Sequence, residues 1–307
     1  MSETRLPHYA QYYAIRGAVA ALDRLSIRRA GRIGEWIGGL GYRPLGIRRA
    51  VVERQVRAAF PGLAELEVLR IARASYEHLG RTSIEAALIS ALSPDQVRAM
   101  FERVEGADAL AAARAEGKGV LLVSGHLGNW ELAGAFVAAS GVPIEAVARG
   151  MENPLFDRYI TRTRHDLGMT VIHDADAVRR VPRAMREGKA VAMLVDQGAV
   201  GLASTWVPFF GRYAKTPRGP AVFALRLGAP VVFATALRQP DGKYVMYYER
   251  VPVHPTGDRE ADVDRIVMDY TATLERWIRR APEQYFWHHR RWKHQRPGTP
   301  PELGDPS

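Results

Sequence analysis

The stretch from Gly119 to Glu131, Gly-Val-Leu-Leu-Val-Ser-Gly-His-Leu-Gly-Asn-Trp-Glu, restricts the fold more than any other part of the chain. Its apolar run, Val120 to Val123, has the composition of a short strand that is buried on both faces. Ser124 and Gly125 then interrupt the run, and residues 132–139 have the composition of a small-residue helix. A buried strand that turns directly into a helix is a building unit of α/β proteins, so the stretch predicts that fold class.

Two ionisable residues lie at the corner between this strand and this helix. His126 and Glu131 are five positions apart, and on one continuous helix they would point about 140° apart, since each residue turns by about 100°. They converge only if the helix begins between them, around residues 127–129. Glu131 would then hold the imidazole in one tautomer, and the helix N-terminus would favour the negative charge of Glu131. The corner therefore predicts a general base, His126, with Glu131 as its partner.

The rest of the chain divides into a helical part and a part in which strands alternate with helices. After residue 131, apolar runs typical of strands lie at 144–148, 169–172, 190–195, 231–237 and 244–251. Residues 206–211 read as an apolar loop. We predict one structural domain: a helical membrane-associating cap over 1–100, an α/β core over 101–296 and a disordered tail over 297–307. The core is expected to be a central, mostly parallel sheet flanked by helices.

Composition limits both the chemistry and the partners. The 307 residues include no cysteine, which excludes disulfides, thiolate nucleophiles and cysteine zinc ligands. The formal net charge of +10 indicates an anionic partner such as a phospholipid membrane, an acidic carrier protein or nucleic acid, although the arginine preference of a GC-rich genome gives the same excess. Residues 276–296 alone carry a net charge of +6, typical of a site for lipid phosphates or an acidic carrier, or of a plain solvated surface. No signal peptide and no run of about 18 apolar residues is visible.

An amphipathic segment near the N-terminus has two interpretations. Tyr12, Ile15, Val19, Leu22 and Leu25 form one apolar stripe, which arginines at 28, 29 and 32 follow. An interfacial helix that lies on an anionic membrane has this pattern. A soluble helix that packs the same stripe on the core has it as well, so the sequence leaves both open.

Five blocks of the chain, in order, carry a family resemblance. The blocks are His126-Leu-Gly-Asn-Trp-Glu131; Arg149 with Asn153-Pro154 and Arg164; Asp196-Gln197; Pro208-Phe-Phe-Gly211 with Ala214 and Thr216; and Pro282-Glu-Gln-Tyr285 with Trp287, His289, Arg290, Arg291 and Lys293. With them, the chain resembles the lipid A biosynthesis acyltransferases, which are the late lauroyl and myristoyl transferases of the glycerolipid acyltransferase-like superfamily.

The resemblance implies an enzyme that moves a fatty acyl group from a thioester donor, either acyl carrier protein or coenzyme A, to a hydroxyl of a membrane glycolipid such as a lipid A precursor. It implies direct attack by that hydroxyl, with His126 as general base assisted by Glu131 and with no metal, no cofactor and no acyl-enzyme. The lack of cysteine and of a Gly-x-Ser-x-Gly elbow agrees with this mechanism. The expected location is peripheral, on the cytoplasmic face of the inner (plasma) membrane, whose anionic surface would attract the basic chain.

Seven further residues are expected to contact substrate: Asn129, Arg149, Arg164, Asp196, Gln197, Phe209 and Phe210. Arg149 follows a strand, so it would bind a phosphate or steady an oxyanion, unless it forms an ordinary salt bridge with Glu145 or Asp157. Asp196 also ends a strand and is a second candidate to pair with His126. The two phenylalanines would line the acyl slot, or would simply pack in the core.

Other acceptors and other classes of function also fit parts of the sequence. The same family pattern serves phosphatidylinositol mannosides, lysophospholipids and other polar lipids, and neither the acyl length nor the donor can be read from the residues. A metal hydrolase would need more than the adjacent pair His288-His289, since no His-Glu-x-x-His pattern exists. A non-enzymatic basic protein that binds membranes or nucleic acid fits the charge. However, the basic residues are spread along the chain without a nucleic-acid motif, so nucleic acid is not an expected partner.

Overall fold

A computed structural model of the protein describes residues 5–198 and 203–306, and in this part of the chain a seven-stranded sheet lies between layers of helices. The strands are β1 Phe101–Glu105, β2 Val120–Ser124, β3 Ile144–Ala148, β4 Met169–His173, β5 Ala190–Leu194, β6 Ser204–Phe209, β7 Arg212–Pro217, β8 Val231–Arg238 and β9 Tyr244–Val251. The sheet order is β1-β9-β8-β2-β5-β3-β4, while β6 and β7 form a separate antiparallel hairpin. Five neighbouring strands, from β8 to β4, are parallel, and β9 and β1 run the opposite way. The predicted α/β class with a mostly parallel sheet is confirmed.

Eleven α-helices lie in the described ranges: α1 Leu6–Leu22, α2 Ile27–Tyr42, α3 Arg49–Ala59, α4 Glu65–Leu88, α5 Pro94–Ala99, α6 Ala107–Ala115, α7 Trp130–Ala139, α8 Pro154–Asp166, α9 Ala177–Arg186, α10 Gly219–Leu227 and α11 Arg259–Arg280. The central strand β2 shows why the sheet needs helices on both sides. Leu121 and Val123 belong to one hydrophobic cluster, and Val120 and Leu122 belong to the cluster on the opposite face. Successive side chains of a strand point to opposite faces, so this strand is buried on both, as its composition predicts.

The first hundred residues are helical, as expected, and two of their helices pack with their backbones in contact. A Cβ atom added at Gly38 of α2 would lie 2.0 Å from the carbonyl oxygen of Tyr76 in α4, and one added at Gly80 would lie 2.1 Å from that of Gly34. Only glycine allows this approach. The apolar stripe of α1 faces the protein and is half-buried, with the ring of Tyr12 6.4 Å from that of Tyr159. No helix in the ranges that the structure describes is both long and apolar enough to cross a bilayer.

Two strand regions depart from the sequence prediction. Phe101–Glu105, for which the sequence analysis predicts no strand, forms the edge strand β1 beside β9. The segment 206–211, expected to be a loop, forms most of β6 and the turn to β7, where Phe210 and Gly211 have φ angles of 52° and 73°. In the tail, for which we expected disorder, Pro301–Leu303 forms a 3₁₀ turn, and the last described residue is 306.

Candidate active site

The loop between β2 and α7, residues 125–129, is held in one conformation by its own residues. Gly128 has a φ of 62°, and a Cβ atom there would lie 2.0 Å from the carbonyl oxygen of Ala236, so the position requires glycine. Asn129 caps α7, since its Oδ1 accepts a hydrogen bond from the Leu132 amide at 3.0 Å. Its side chain is fully buried and its Nδ2 donates to Glu85 at 3.1 Å. Asn129, expected to contact substrate, therefore serves the loop and exposes no surface to a ligand.

The carboxylate that meets His126 comes from the neighbouring strand. Strands β2 and β5 are paired with Ser124 opposite Leu194, so the residues two positions further along each strand emerge side by side. The Nδ1–H of His126 donates to Oδ1 of Asp196 at 2.8 Å, and the backbone N–H of His126 donates to Oδ2 at 3.0 Å. The imidazole therefore carries its proton on Nδ1, and Nε2 is left as the basic atom. The His126 side chain is 21% exposed, whereas that of Asp196 is 2% exposed.

The electrostatics of this pair favour a charged carboxylate beside a basic imidazole. Burial lowers the pKa of His126, but the charge and hydrogen bond of Asp196, with a smaller contribution from Glu131, raise it above its ordinary value of 6.5. Burial raises the pKa of Asp196, but the same histidine outweighs burial and lowers it to about 2. The pair is thus ready to take up a proton at Nε2 and to stabilise the resulting imidazolium.

Glu131 occupies a different place from the one expected. It forms a two-pronged ion pair with Arg164 of α8, with Nε to Oε2 at 3.0 Å and Nη2 to Oε1 at 2.5 Å. The hydrogen bond that orients His126 comes from Asp196 instead, because β5 lies directly beside β2 whereas the first turn of α7 faces α8. Glu131 therefore does not form the hydrogen bond to His126 that the sequence predicts. Arg164, expected to contact substrate, is held by Glu131.

Three further side chains, besides Asp196, lie next to the imidazole of His126. The ring of Trp130 lies edge-on at 4.9 Å, and the ring of Phe286 lies at 5.9 Å. The amide nitrogen of Gln197 lies 3.3 Å from Nδ1 and 3.4 Å from Nε2. Gln197, an expected substrate contact, is therefore beside the basic atom itself. Phe286 was not among the residues predicted for the site.

A C-terminal segment, residues 284–291, contacts the loop through an isolated antiparallel bridge between Leu127 and Tyr285. The Gly128 amide donates to the carbonyl oxygen of Gln284, and the Phe286 amide donates to that of His126, both at 2.9 Å. Gln55 of α3 fixes the segment from behind, because its side chain donates to two of the segment's carbonyl oxygens, at 2.5 and 2.7 Å, and accepts from the amide of Arg291 at 2.8 Å. The sequence reasoning gave Gln55 no role.

The remaining expected residues separate into one open and two buried positions. Arg149 is exposed and, in the described part of the chain, makes no salt bridge. Glu145 pairs instead with Arg180 and Lys189, and Asp157 accepts from the amide of Met151. The pair Phe209 and Phe210 is buried in the hydrophobic core and lines no part of the cavity described next. Both side chains therefore pack in the core, and a role in an acyl slot stays a prediction.

An apolar cavity lies on one face of the sheet beneath α7, and Trp130, whose ring contacts that of His126, is part of its lining. It encloses about 650 Å³ of space, open solvent included. The space exists because several residues that line it have small side chains: Ala133, Gly134, Ala146, Ala148, Ala192 and Ala234. Trp130, Glu131 and Arg164 line its polar end, and Met169 and Met246 lie among its apolar walls. Apolar side chains make up most of the lining of the cavity. No group of three metal-ligating side chains occurs among the described residues.

Comparisons with known proteins point to a family of acyltransferases. The family model described as bacterial lipid A biosynthesis acyltransferase matches residues 1–294. A lipid A biosynthesis lauroyltransferase of Escherichia coli strain K12 is 28% identical over 88% of this chain and 87% of its own, and a palmitoleoyltransferase of the same strain is 27% identical over 85% and 84%. A phosphatidylinositol mannoside acyltransferase of Mycobacterium tuberculosis strain H37Rv is 28% identical over 52% of each chain.

Proposed function

Because the chain belongs to the family of bacterial lipid A biosynthesis acyltransferases, we propose that it transfers a fatty acyl group from a thioester to a hydroxyl of a membrane glycolipid such as a lipid A precursor. Acyltransferase activity follows from the family itself. The donor, acyl carrier protein or coenzyme A, and the acceptor belong to the proposal. The observation that carries it is the His126–Asp196 pair, whose neighbour Trp130 also lines an apolar cavity.

His126 is the general base of this proposal. Asp196 holds Nδ1–H, so Nε2 accepts the proton of the acceptor hydroxyl as its oxygen attacks the thioester carbonyl. The imidazolium then gives the proton to the leaving thiolate. Glu131 assists at a distance: its charge raises the pKa of His126, and its ion pair with Arg164 fixes the cavity mouth.

The cavity is proposed to hold the acyl chain. Trp130 contacts the ring of His126 and also lines the cavity, so a chain in the cavity would present its first carbon near Nε2. Apolar walls favour a hydrocarbon by about 0.8 kcal/mol for each buried methylene. The donor thioester and the acceptor hydroxyl would thus meet at the edge of the sheet where β2 and β5 end.

Arg149 and the N-terminal helices are proposed to bind the polar and membrane parts of the substrates. The guanidinium of Arg149 is exposed at the end of β3, on the same edge of the sheet, and suits a phosphate of donor or acceptor. Leu6 is 86% exposed and Trp36 is 66% exposed, and exposed arginines accompany them on α1 and α2. These side chains fit peripheral attachment to an anionic bilayer, with α1 packed beside the start of α8. We place the protein on the cytoplasmic face of the inner membrane.

The test combines lipid mass spectrometry with a defined reaction in vitro. A deletion strain is complemented with wild type, His126→Ala or His254→Ala, the last being an exposed histidine outside the site. Purified variants are also given lauroyl-acyl carrier protein or lauroyl-coenzyme A with a lipid A precursor or a phosphatidylinositol mannoside. We expect one membrane lipid to lose a single acyl chain in the deletion, and only wild type and His254→Ala to restore it. An unchanged lipidome, or full complementation by His126→Ala, would refute the proposal.

A further inference from the structure

Gln197 lies beside both ring nitrogens of His126. Its amide nitrogen is 3.3 Å from Nδ1 and 3.4 Å from Nε2. An atom almost equally distant from the two nitrogens lies over the imidazole ring and not in line with the in-plane lone pair of Nε2. Because Nδ1 donates to Asp196, that lone pair is left for the acceptor hydroxyl, and the amide lies next to the place where the hydroxyl oxygen attacks.

The other polar side chains expected at the site are either engaged in other contacts or lie farther from His126. Arg164 is paired with Glu131, and Asn129 is buried as the cap of α7. Arg149 follows β3, which lies two strands from β2, or about 10 Å at the usual strand spacing. Gln197 follows β5, the direct neighbour of β2, and its amide is near enough to reach a carbonyl oxygen next to Nε2.

We propose that Gln197 is a catalytic residue that donates a hydrogen bond to the thioester carbonyl oxygen as it becomes an oxyanion. This role rests on the proposed acyl transfer. As the acceptor oxygen bonds to the carbonyl carbon, its proton passes to His126 Nε2 and the carbonyl π electrons move onto oxygen, where Gln197 N–H binds them. The electrons then return, the C–S bond breaks, and the thiolate takes the proton from His126. The products are an ester and a thiol.

A neutral amide suits this position better than a charged side chain. A guanidinium 3.4 Å from Nε2 would oppose protonation of His126, and a carboxylate would accept rather than donate. The amide stabilises the oxyanion and leaves the basicity of the imidazole to Asp196. Removing one such donor from an oxyanion site typically lowers kcat by about 10²–10³-fold.

The test compares Gln197→Met and Gln197→Glu with wild type, with His126→Ala, and with Gln96→Leu as an exposed control on α5. Turnover by wild type and its loss in His126→Ala establish the acyl transfer in the same assay, so the result for Gln197 is read separately. We expect Gln197→Met to lose about 10²–10³-fold in kcat with KM within about threefold and with the acid limb of the pH profile unmoved. Gln197→Glu should lose as much, and its acid limb should move to higher pH.

Three results would overturn the role. They are a kcat within about tenfold of wild type in Gln197→Met, a rise in KM at constant kcat, and an acid limb that moves in Gln197→Met as far as it does in Gln197→Glu. The second would make Gln197 a substrate-binding residue, and the third would make it a positioning residue for His126. If Gln197→Met does not fold, judged by its melting temperature, Gln197→Leu replaces it under the same criteria.

Discussion

Replacing Asp196 with asparagine should cost more activity than replacing Glu131 with glutamine, although the sequence favours Glu131 as the partner of His126. Asp196 accepts two hydrogen bonds from His126, from Nδ1–H at 2.8 Å and from the backbone N–H at 3.0 Å. An asparagine offers one oxygen and one NH₂ group to these two donors. Either the NH₂ faces the backbone N–H, or it donates to Nδ1 and forces the proton onto Nε2.

The size of the effect follows from these two arrangements. The first leaves a buried donor unpaired, at about 1–3 kcal/mol, and removes the charge that stabilises the imidazolium. The second removes the base altogether. We expect kcat in Asp196→Asn to fall about 10²–10⁴-fold, the range for loss of an orienting carboxylate, which is about 3–5 kcal/mol in barrier. Glu131→Gln keeps the His126–Asp196 contacts and weakens a half-buried ion pair, so it should lose about tenfold or less.

The pH dependence separates this explanation from simple misfolding. Asp196 is the main influence that raises the pKa of His126 against burial, so Asp196→Asn should move that pKa to lower pH. In Glu131→Gln the shift should have the same sign and be smaller, since Glu131 acts on His126 only by its charge. The assay is NMR of protein labelled at histidine, which needs no substrate, together with steady-state kinetics. A larger loss of kcat in Glu131→Gln than in Asp196→Asn, or an unshifted His126 pKa in Asp196→Asn, would refute the reasoning.

Other contacts predict effects on stability and on the activity of the wild type. Gly38→Ala should lower stability by about 1–3 kcal/mol, because its Cβ would lie 2.0 Å from the carbonyl oxygen of Tyr76. The neighbouring control Gly39→Ala, with 3.5 Å to its nearest contact, should be neutral or slightly stabilising, and thermal melts that reverse this order would contradict the packing. Gln55→Leu removes three hydrogen bonds to the C-terminal segment, so it should lower the free energy of unfolding by about 2–4 kcal/mol and also lower kcat. An unchanged melting temperature would show that Gln55 does not stabilise this segment. In wild type, kcat/KM should fall toward acid with a midpoint above pH 6.5, since His126 must be neutral to accept a proton and its pKa is raised; a midpoint below 6.5 would contradict this.

The sequence predicted the fold class and the position of His126 because both depend on local pattern. An apolar run followed by glycine and a helix start can be recognised within thirteen residues. The partner of His126 could not be recognised in this way, because β5 is separated from β2 in the chain by β3 and β4 and yet lies beside it in the sheet. Nearness in sequence favoured Glu131, whereas nearness in the sheet selects Asp196.

Two other features could not be predicted from the sequence. Thr205, Val207 and Phe209 are buried while the residues between them are more exposed, as in a strand, but Thr205 is polar and Trp206 is apolar, so the sequence itself does not alternate. The C-terminal segment is the second such feature. Gln55 and the backbone that it binds are more than 230 positions apart, so only the folded chain shows that the basic helix α3 supports the catalytic loop.

The contacts of α4 show that the N-terminal cap also supports the loop that carries His126. His78 contacts the carbonyl oxygen of Gly128 at 3.0 Å, and burial, with Arg238 nearby, lowers its pKa to about 3, so it donates as a neutral imidazole. Glu85 accepts from Asn129 on one side and from Arg238 on the other, at 3.1 and 2.9 Å. Without α4, the loop that carries His126 would lose these contacts. Arg238 would also lose its carboxylate partner and remain as a buried charge, which costs far more stability than the loss of a surface ion pair. Helix α2, which carries the exposed Trp36, packs on α4 through glycines. The surface proposed to meet the membrane is therefore in direct contact with the helix that supports the His126 loop.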